Sequence, residues 1–294
     1  MTRHRSLGAA LLALGAGTAC WSYNYTSPLG PRYASSVAPA PTAAARGADE
    51  VVRIVTFNVQ YARQADRAIA LIESTPELRD ADVITLQEMD AAATRHIADA
   101  LHMGYVYYPA SIARKTRRDF GNAILSRWPM MADRKIVLPH HARLEGTQRI
   151  ATAATIVVKG LPLRVYSVHL ATMVELGPGS RREQVRAVLA DAAEYPRVVV
   201  SGDMNSSSIG EEFEQAGFHW VTAHNPHTHH FWTFDHVFLK GLEPFSGGAT
   251  GVVRDARGAS DHRPVWAVAV LPRAAVPEQL GGLAAPSQQP HTTQ

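Results

Sequence analysis

Residues 197–205 read RVVVSGDMN, a run of valines that ends in polar residues. Three consecutive valines are β-branched and apolar, which predicts a short buried strand over residues 197–202. Asp203 and Asn205 follow this strand directly. Because Gly, Asp and Asn also favour ordinary turns, the stretch alone does not identify a site. It indicates one only if other strands end in the same way.

Other predicted strands also carry or border polar residues at their ends. These residues are Asn58 in the run 51–60 (VVRIVTFNVQ), Glu88 after 82–87 (DVITLQ), His169 in 163–170, Asp235 beside the strand 236–240, and Asp261 and His262 before 264–271. Side chains at strand ends converge outside a sheet, so this set indicates one pocket. Carboxylate and amide oxygens suit Mg²⁺ or Mn²⁺, and a His held by a second carboxylate suits water activation.

The remaining periodic segments predict a mixed architecture. Further strands are expected at 122–126 and 152–158, and helices at 65–73, 91–101 and 180–194. Strands and helices do not alternate strictly. This order favours packed sheets flanked by helices over a simple doubly wound sheet.

Seven motifs in fixed order carry a family resemblance: TFNV, LQE, GNAILS, SVHL, SGDMN, FDHVF and SDHRPV. With them, residues 51–271 resemble the endonuclease/exonuclease/phosphatase superfamily. The resemblance implies an α+β fold, a four-layer αββα sandwich in which two packed mixed β-sheets are flanked by helices. It also implies hydrolysis of phosphate esters with a divalent metal.

The resemblance assigns metal ligands. Glu88 is the main expected ligand, helped by Asn58 and Asp261. Many family members carry an acid two residues after the first Asn, whereas this chain has Gln60. We therefore expect one functional Mg²⁺ or Mn²⁺ ion.

The resemblance also assigns the chemical groups around that ion. His262 is expected to act as general base or to protonate the phosphate, oriented by Asp235. Asp203 and Asn205 are expected to position the attacking water and the phosphoryl oxygens. The remaining candidates are expected at the scissile phosphate or near the pocket: His169, Arg149 and Asn122, the last without an assigned role.

The substrate is less well determined, because fold and core motifs do not choose among family activities. His169 in SVHLAT argues against abasic-site repair, and a PAWCDR-like segment of inositol 5-phosphatases is missing. Residues 111–135 hold seven Lys or Arg and two Asp. This stretch is either a phosphate-binding surface or a solvated loop. It slightly favours nucleic acid over phospholipid, and so a nuclease. We also expect the protein to act as a monomer.

Two alternatives to a nuclease remain. One is a sphingomyelinase-like phosphodiesterase of phospholipid headgroups or small molecules, although no long apolar insertion for a membrane is visible in the sequence. The other is a catalytically inactive binding module. The complete set of metal and base residues argues against the second.

Residues 219–230 (HWVTAHNPHTHH) contain five histidines and Trp220. Such a cluster either binds a transition metal or forms a polar substrate loop.

The N-terminus predicts export. Residues 1–5 are basic, and residues 7–19 are apolar but too short to span a bilayer, as in a secretory signal. Gly17 and Ala19 precede Cys20, and the stretch resembles a bacterial lipoprotein signal, except that Gly17 stands where Leu is usual. The product is then periplasmic, anchored to the cell envelope through Cys20, or secreted. The alternative is the N-terminal tail of a cytosolic protein.

Composition bounds the domain organisation. The chain has 294 residues, a net charge of +3 and one cysteine, which excludes an intrachain disulfide framework and a Cys-based zinc site. We predict a signal peptide over residues 1–20, a Pro/Ala-rich linker over 21–49, a catalytic domain over 50–272 and a disordered tail over 273–294.

Overall fold

The computed structural model describes residues 23–36, 51–246 and 250–272. Its described strands form two sheets. The strands of the first sheet are β1 (Tyr33–Ser35), β2 (Val51–Asn58), β3 (Val83–Met89), β4 (Gly104–Ile112), β5 (Asp119–Ser126), β12 (Glu243–Pro244), β13 (Thr250–Val252) and β14 (Val265–Val270). The strands of the second sheet are β6 (Met130–His141), β7 (Gln148–Val158), β8 (Leu161–His169), β9 (Val198–Asp203), β10 (His219–Trp220) and β11 (Asp235–Lys240).

Both sheets are mixed. The first has the order β1-β4-β5-β3-β2-β14-β12, with β13 also paired to β14, and the second has the order β10-β11-β9-β8-β7-β6. In the first sheet β2 and β3 are parallel, and in the second β8 and β9 are parallel. The carboxyl ends of these strand pairs carry the polar residues that the sequence singles out.

Helices cover the outer faces of both sheets. The described helices are α1 (Ala65–Ser74), α2 (Pro76–Arg79), α3 (Ala91–Ala100), α4 (Pro178–Ala192) and α5 (Gly210–Gln215). Ile72 of α1 and Ile97 of α3 pack with Phe57 of the first sheet. Val188 of α4 packs with Val200 of the second. The predicted four-layer αββα sandwich is therefore confirmed.

A third apolar cluster fills the space between the sheets. Ile54, Val83 and Ile124 of the first sheet pack with Ile156 and Val199 of the second. All five side chains are almost fully excluded from water. Burying one such side chain stabilises the fold by about 1.5–3 kcal/mol, so this layer joins the sheets into one body.

Polar bonds also cross between the sheets, below the edge where the strands end. Thr85 Oγ1 and Ser201 Oγ lie 2.8 Å apart, and Gln87 Nε2 donates to Ser167 Oγ at 3.1 Å. Asn122 Nδ2 donates to the carbonyl oxygens of Ile150 (2.9 Å) and Ser167 (3.1 Å). Because hydrogen bonds are directional, they fix the register of one sheet on the other more closely than apolar packing alone.

The structure differs from the predicted linker over residues 23–36, which we call the N-terminal segment. Tyr33–Ser35 pairs with β4 as an added edge strand. Lys135 Nζ donates to the carbonyl oxygens of Tyr25 (2.8 Å) and Gly30 (2.9 Å), and Arg32 pairs with Asp133. These partners lie about a hundred residues away, so local composition does not reveal them. The signal peptide, the rest of the linker and the tail lie outside the described residues and stay predictions.

Among the helices that the structure describes, none is long and apolar enough to cross a membrane.

Gly202 is required where β9 passes β8. Its φ is 151°, and a Cβ atom there would lie 1.9 Å from the carbonyl oxygen of Val168. We expect Gly202→Ala to lower the free energy of unfolding by about 3 kcal/mol or more, because backbone must move to admit the methyl group. Urea denaturation measures this loss.

Gly217→Ala is the matched control for that substitution. Gly217 also has a positive φ, but no atom lies within 4 Å of the position that a methyl group would take there. It should lose only the backbone term of about 1–2 kcal/mol. Equal losses in the two variants would contradict the steric explanation.

Candidate active site

The polar strand ends of both sheets meet at one end of the sandwich. Asn58 ends β2 and Glu88 lies near the end of β3, while Asp203 ends β9 in the other sheet. Asn58 Nδ2 donates to Glu88 Oε1 at 3.2 Å and to Asp203 Oδ2 at 2.9 Å. One buried amide therefore links the two sheets at the centre of the site.

The strand register places three more site residues beside one another. His169 lies opposite Asp203 across the parallel pair β8–β9, and Asp235 lies opposite Asp203 across the antiparallel pair β9–β11. His169 Nε2 is 3.5 Å from Asp203 Oδ2. The valine-rich strands thus carry their terminal side chains into one cluster, as the sequence predicts.

His262 is positioned by a short loop that precedes β14. Ser260 Oγ donates to the backbone oxygen of Asn58 at 2.6 Å and accepts from the backbone N–H of His262 at 3.1 Å. His262 Nδ1 lies 2.8 Å from Asp235 Oδ2, and its Nε2 lies 3.7 Å from Asp203 Oδ2. The imidazole is therefore held between two carboxylates.

Burial and charge shift the proton affinities of this pair. Burial alone would lower the pKa of His262, but Asp235 and Asp203 outweigh it and raise that pKa above its usual value. Burial raises the pKa of Asp203, and the Asp235 carboxylate adds to that rise, although His262 opposes it. At neutral pH His262 is consequently charged, and Asp203 is a stronger base than an ordinary carboxylate.

Glu88 occupies a strained backbone position. Its φ is 59°, in the left-handed region, where the register of β3 against β5 shifts. Tyr61 N donates to Glu88 Oε2 at 3.0 Å. Burial raises the pKa of this carboxyl group, while the Asn58 hydrogen bond lowers it. Such strain is found at sites where a side chain must be aimed, here toward Asn58 and the centre of the cluster.

The donors around Glu88 fit a hard divalent cation. The Asn58 amide turns its Nδ2 to Glu88 and Asp203, while its Oδ1 accepts from Gln60 N at 3.1 Å, so metal binding by Asn58 stays a prediction. Glu88 and Asp261 supply carboxylates, and Asp261 is close enough to affect the pKa of Glu88. Oxygen donors of this kind suit Mg²⁺ or Mn²⁺. Gln60 Nε2 donates to Asp261 Oδ2 at 2.7 Å, so the residue that replaces the usual acid supports the third predicted ligand.

The described residues contain two groups of potential metal ligands, and within each group the ligand atoms lie within 4.8 Å of one another. One contains Asp203, Asp235 and His262, and the other contains His229, Asp261 and His262. Asp235 Oδ1 is buried without a hydrogen-bond partner. The site therefore concentrates more carboxylate than its own cations neutralise, which agrees with a bound cation in the working protein.

Arg149 and His169 form a second cluster beside the first. Arg149 Nη1 lies 3.1 and 3.0 Å from the two ring nitrogens of His169. Its Nη2 donates to both Glu175 carboxylate oxygens, at 3.1 and 2.8 Å. Burial and the neighbouring Arg149 charge lower the pKa of His169, so its imidazole is neutral. Sequence reasoning missed Glu175, since no motif marks it.

A pocket of about 280 Å³ opens beside Arg149. Its lining residues are Tyr61, Ser111, Ala113, Arg114, Lys115, Phe120, Glu145, Thr147, Arg149 and Glu175. Sequence reasoning also missed Tyr61, whose ring packs on Phe120 at 5.5 Å. Cations and aromatic rings together make a lining that suits an anionic group.

The structure divides the basic stretch 111–135 into two parts. Arg114 and Lys115 line the pocket, which agrees with the phosphate-binding interpretation. Arg127 instead donates to the carbonyl oxygens of Ala81 (2.9 Å) and Arg79 (3.0 Å). Arg134 pairs with Asp191, and Lys135 holds the N-terminal segment. The last three cations have structural partners, so the basic surface is smaller than the sequence predicts.

The two predicted amide residues bind backbone. Asn122 makes the inter-sheet bonds described above. Asn205 Nδ2 donates to the carbonyl oxygen of Leu170 at 3.0 Å, and Asn205 N donates to Asp203 Oδ1 at 2.9 Å. Asn205 thus orients the Asp203 carboxylate. The role expected of Asn205 at the substrate and the place of Asn122 near the pocket stay predictions.

The histidine cluster 219–230 brings one residue to the site. His229 stacks on His262 with ring centroids 4.4 Å apart, and its Nε2 lies 3.8 Å from Asp261 Oδ2. His219 instead lies in β10, opposite Leu239. The sequence marked this cluster but did not show which imidazole lies beside the predicted site residues.

Comparisons with known proteins agree with this geometry. A family model described as Endonuclease/Exonuclease/phosphatase family matches residues 55–262. No curated protein matches the chain. Three similar solved structures share the fold at low identity.

The first is an endonuclease/exonuclease/phosphatase from Beutenbergia cavernae, with 19% identity over 75% of this chain and 72% of that one, and a TM-score of 0.62. The second is D. rerio TDP2 complexed with a single-strand DNA product, with 20% identity over 75% of this chain and 99% of that one, and a TM-score of 0.59. The third is sphingomyelinase C from Streptomyces griseocarneus, with 16% identity over 75% of this chain and 99% of that one, and a TM-score of 0.57.

Proposed function

The chain belongs to the endonuclease/exonuclease/phosphatase family, and from this premise we propose that it is an exported, divalent-metal-dependent phosphodiester hydrolase. The carrying observation is the arrangement at the end of the sandwich. His262 is held by Asp235 at 2.8 Å and faces Asp203, and the Asn58 amide links Asp203 to the Glu88 carboxylate. An inactive binding module needs no such complete set.

The geometry divides the chemical work among these residues. Asp203 takes a proton from water as the water oxygen bonds to phosphorus. The bond from phosphorus to the leaving oxygen breaks, and the leaving oxygen takes a proton from His262 Nε2. Asp235 orients and charges the imidazole, which favours the proton-donating role predicted for His262 over the general-base role.

Arg149 and the neutral His169 are placed to bind the phosphoryl oxygens. Glu175 holds the guanidinium, so its donors are already oriented before substrate arrives, and fixed donors lower the cost of stabilising developing charge. A Mg²⁺ or Mn²⁺ ion held by Glu88, Asn58 and Asp261 would polarise the phosphate. We propose one such ion, because Gln60 replaces a further acid.

Two substrate classes remain candidates for this site. Arg114 and Lys115 in the pocket favour a polyanion such as nucleic acid, as the sequence suggests. TDP2, which shares the fold, carries a DNA product in its structure. Exposed apolar residues on nearby loops instead favour a phospholipid, and a sphingomyelinase also shares the fold. Export rests on the N-terminal leader, with lipid attachment at Cys20 as one form.

Metal binding should appear in stability as well as in activity. At a concentration 100 times the Kd, Mg²⁺ or Mn²⁺ stabilises the folded state by about 2.7 kcal/mol. For a domain of this size we expect Tm to rise by about 5–10 °C. Differential scanning fluorimetry with and without EDTA measures the shift.

The matched variants for that measurement are Glu88→Gln and Glu77→Gln. The first removes the main proposed ligand and should abolish the shift, while the second changes a glutamate in the first turn of α2 and should keep it. The same shift in both variants would rule out Glu88 as a ligand.

Turnover tests the proposal directly. The full-length chain is given supercoiled plasmid, a bis-aryl phosphodiester, an aryl phosphomonoester and phospholipid vesicles, each with Mg²⁺, Mn²⁺ or EDTA. Metal-dependent hydrolysis of a diester that His262→Ala abolishes supports the proposal. No hydrolysis of any substrate with either metal would overturn it.

A further inference from the structure

We propose that the mouth of the pocket beside Arg149 docks on a bilayer with anionic headgroups, and that the substrate is a phospholipid phosphodiester. We define the pocket mouth as residues 23–25, 112–118 and 142–147. The proposal rests on the proposed function, since it names the substrate class of the same site. Three observations support it: the position at which the described chain begins, the charge of the pocket mouth, and the exposed apolar side chains around it.

The N-terminal segment reaches the domain at the pocket mouth. Ile112 N donates to the carbonyl oxygen of Tyr23 at 2.8 Å. Asn24 bridges to Ser111, and its Nδ2 donates to the carbonyl oxygen of Gly146 at 2.7 Å. Ser111 and Thr147, next to Gly146, line the pocket. The described part of the chain therefore begins at the pocket mouth.

The distance to the predicted lipid attachment point is short. Two residues separate Cys20 from Tyr23. Three residue steps span at most about 11 Å of extended chain. A lipid on the Cys20 thiol would thus keep Tyr23, and the pocket mouth with it, at the bilayer surface. A long flexible linker would let the site take any orientation at the bilayer. Because residues 23–36 contact the domain, only a short segment separates Cys20 from the pocket mouth.

The charge of the pocket mouth matches an anionic leaflet. Residues 113–118 form a turn closed by Ala113 and Arg118, and they carry four exposed basic residues: Arg114, Lys115, Arg117 and Arg118. Arg118 pairs with Asp90 at 2.9 Å, so the charge argument rests on the other three. Arg143 adds a fifth basic residue, and Glu145 is the one acidic residue within 112–118 and 142–147. Clustered Lys and Arg side chains bind the negative surface of a bilayer.

Apolar side chains stand among these charges. Leu144, between Arg143 and Glu145, is 81% exposed, and Tyr23 is 63% exposed. Arg143 N donates to the carbonyl oxygen of Glu175, which joins this loop to the loop that exposes Met173 and Val174. Single exposed apolar residues are ordinary, but adjoining loops that carry them around one pocket indicate a contact surface.

This combination favours a bilayer over a nucleic acid. Phosphate-backbone binding requires the cations alone and gains nothing from an exposed leucine. Interfacial binding uses cations for the headgroups together with apolar and aromatic side chains at the acyl boundary. A headgroup phosphodiester would then enter the pocket from the surface on which the domain sits, and water would cleave a P–O bond as described above.

Vesicle sedimentation of the full-length chain tests the docking surface. Vesicles of phosphatidylcholine, with and without phosphatidylglycerol, are compared. Replacing both Arg114 and Lys115 with Ala should weaken partitioning onto anionic vesicles about 30-fold, because each basic residue near the surface contributes about 1 kcal/mol, or about a factor of five. Leu144→Glu should weaken it about tenfold, since it removes an apolar contact and adds like charge to the leaflet.

Matched controls separate this surface from general effects. Met131→Glu introduces the same charge at a half-exposed apolar residue of β6, and Arg95→Ala with Arg186→Ala removes two cations from helices. Both should partition within about twofold of wild type, because neither lies at the pocket mouth. The leader is present in every variant, so its contribution cancels.

The outcomes distinguish the two proposals. The docking proposal is overturned if the variants at Arg114, Lys115 and Leu144 partition onto vesicles like wild type. Plasmid nicking with no headgroup release from vesicles overturns the substrate class in favour of nucleic acid. If the variants at Arg114, Lys115 and Leu144 lose vesicle binding but the protein hydrolyses none of the four substrates with Mg²⁺ or Mn²⁺, the proposed function is overturned and the docking surface stands. Metal-dependent headgroup release that falls with vesicle binding in these variants supports both.

Discussion

Replacing Glu88 with Gln is expected to lower kcat/KM for phosphodiester hydrolysis about 10³-fold or more. The substitution keeps the shape of the side chain but removes the negative charge that would hold the metal. A bound cation contributes several kcal/mol of charge stabilisation in the transition state, and each 1.36 kcal/mol is a factor of ten in rate. Initial rates at increasing Mg²⁺ or Mn²⁺ concentration measure the loss.

The fold of the Glu88→Gln variant should stay intact. Burial raises the pKa of the Glu88 carboxyl group, so the charge costs free energy where it lies, and neutralising it in the absence of metal relieves that cost. We expect a metal-free Tm at or above that of wild type. Wild-type rates in this variant at low metal concentration would show that Glu88 is not a metal ligand.

Replacing His262 with Ala is expected to lower kcat about 10³- to 10⁴-fold. The imidazole is the group that can protonate the leaving oxygen, and general acid catalysis contributes about 10²- to 10⁴-fold. Its positive charge between Asp235 and Asp203 also offsets two buried carboxylates. KM should change less than kcat, because proton donation matters in the transition state and little in binding. Steady-state kinetics on a soluble diester measure both constants.

Two variants separate chemistry from folding in the His262 experiment. His262→Ala leaves Asp235 without its partner, so some loss of Tm is expected. His262→Gln keeps a polar group beside Asp235, and it should recover Tm without recovering kcat. His219→Ala changes an exposed histidine of β10 and should behave as wild type. Recovery of kcat in His262→Gln would show that a structural defect, and not lost proton donation, lowered the rate.

The strands with strong local signals were predictable. Valine-rich runs such as β9 bury both faces, so their apolar residues are continuous in sequence. The helix over residues 91–100 also has a clear start, since Asp90 accepts from Ala93 N at 2.8 Å as an N-cap. In such segments local chemistry and tertiary position agree, and the predicted bounds lie within a few residues of the structure.

The sequence patterns did not predict strands that depend on partners distant in the chain. β4 contains Pro109 and a shift of its register against β5, which obscure a strand signal. β6 alternates poorly because several of its residues are half-buried and bond to the N-terminal segment or to α4. β1 has three exposed residues and is a strand only because β4 offers a free edge. No local pattern could have identified them.

The same distinction applies to the site. Asn58, Glu88, His169, Asp203, Asp235 and His262 end or border strands, so their convergence follows from the sheet order. Glu175 and His229 lie on loops, and the structure alone shows that one holds Arg149 and the other stacks on His262. Residues placed by strands were therefore predictable, while those placed by loop conformation were not.

The order of the strands has a consequence for the timing of synthesis. β14 is an interior strand of the first sheet, between β2 and β12, although it is the last strand made in the described chain. Asp261 and His262 directly precede it. A nascent chain that lacks these final residues would leave the edge of β2 open and would lack the proposed proton donor. The proposed hydrolytic activity would therefore appear only when translation of the domain is finished.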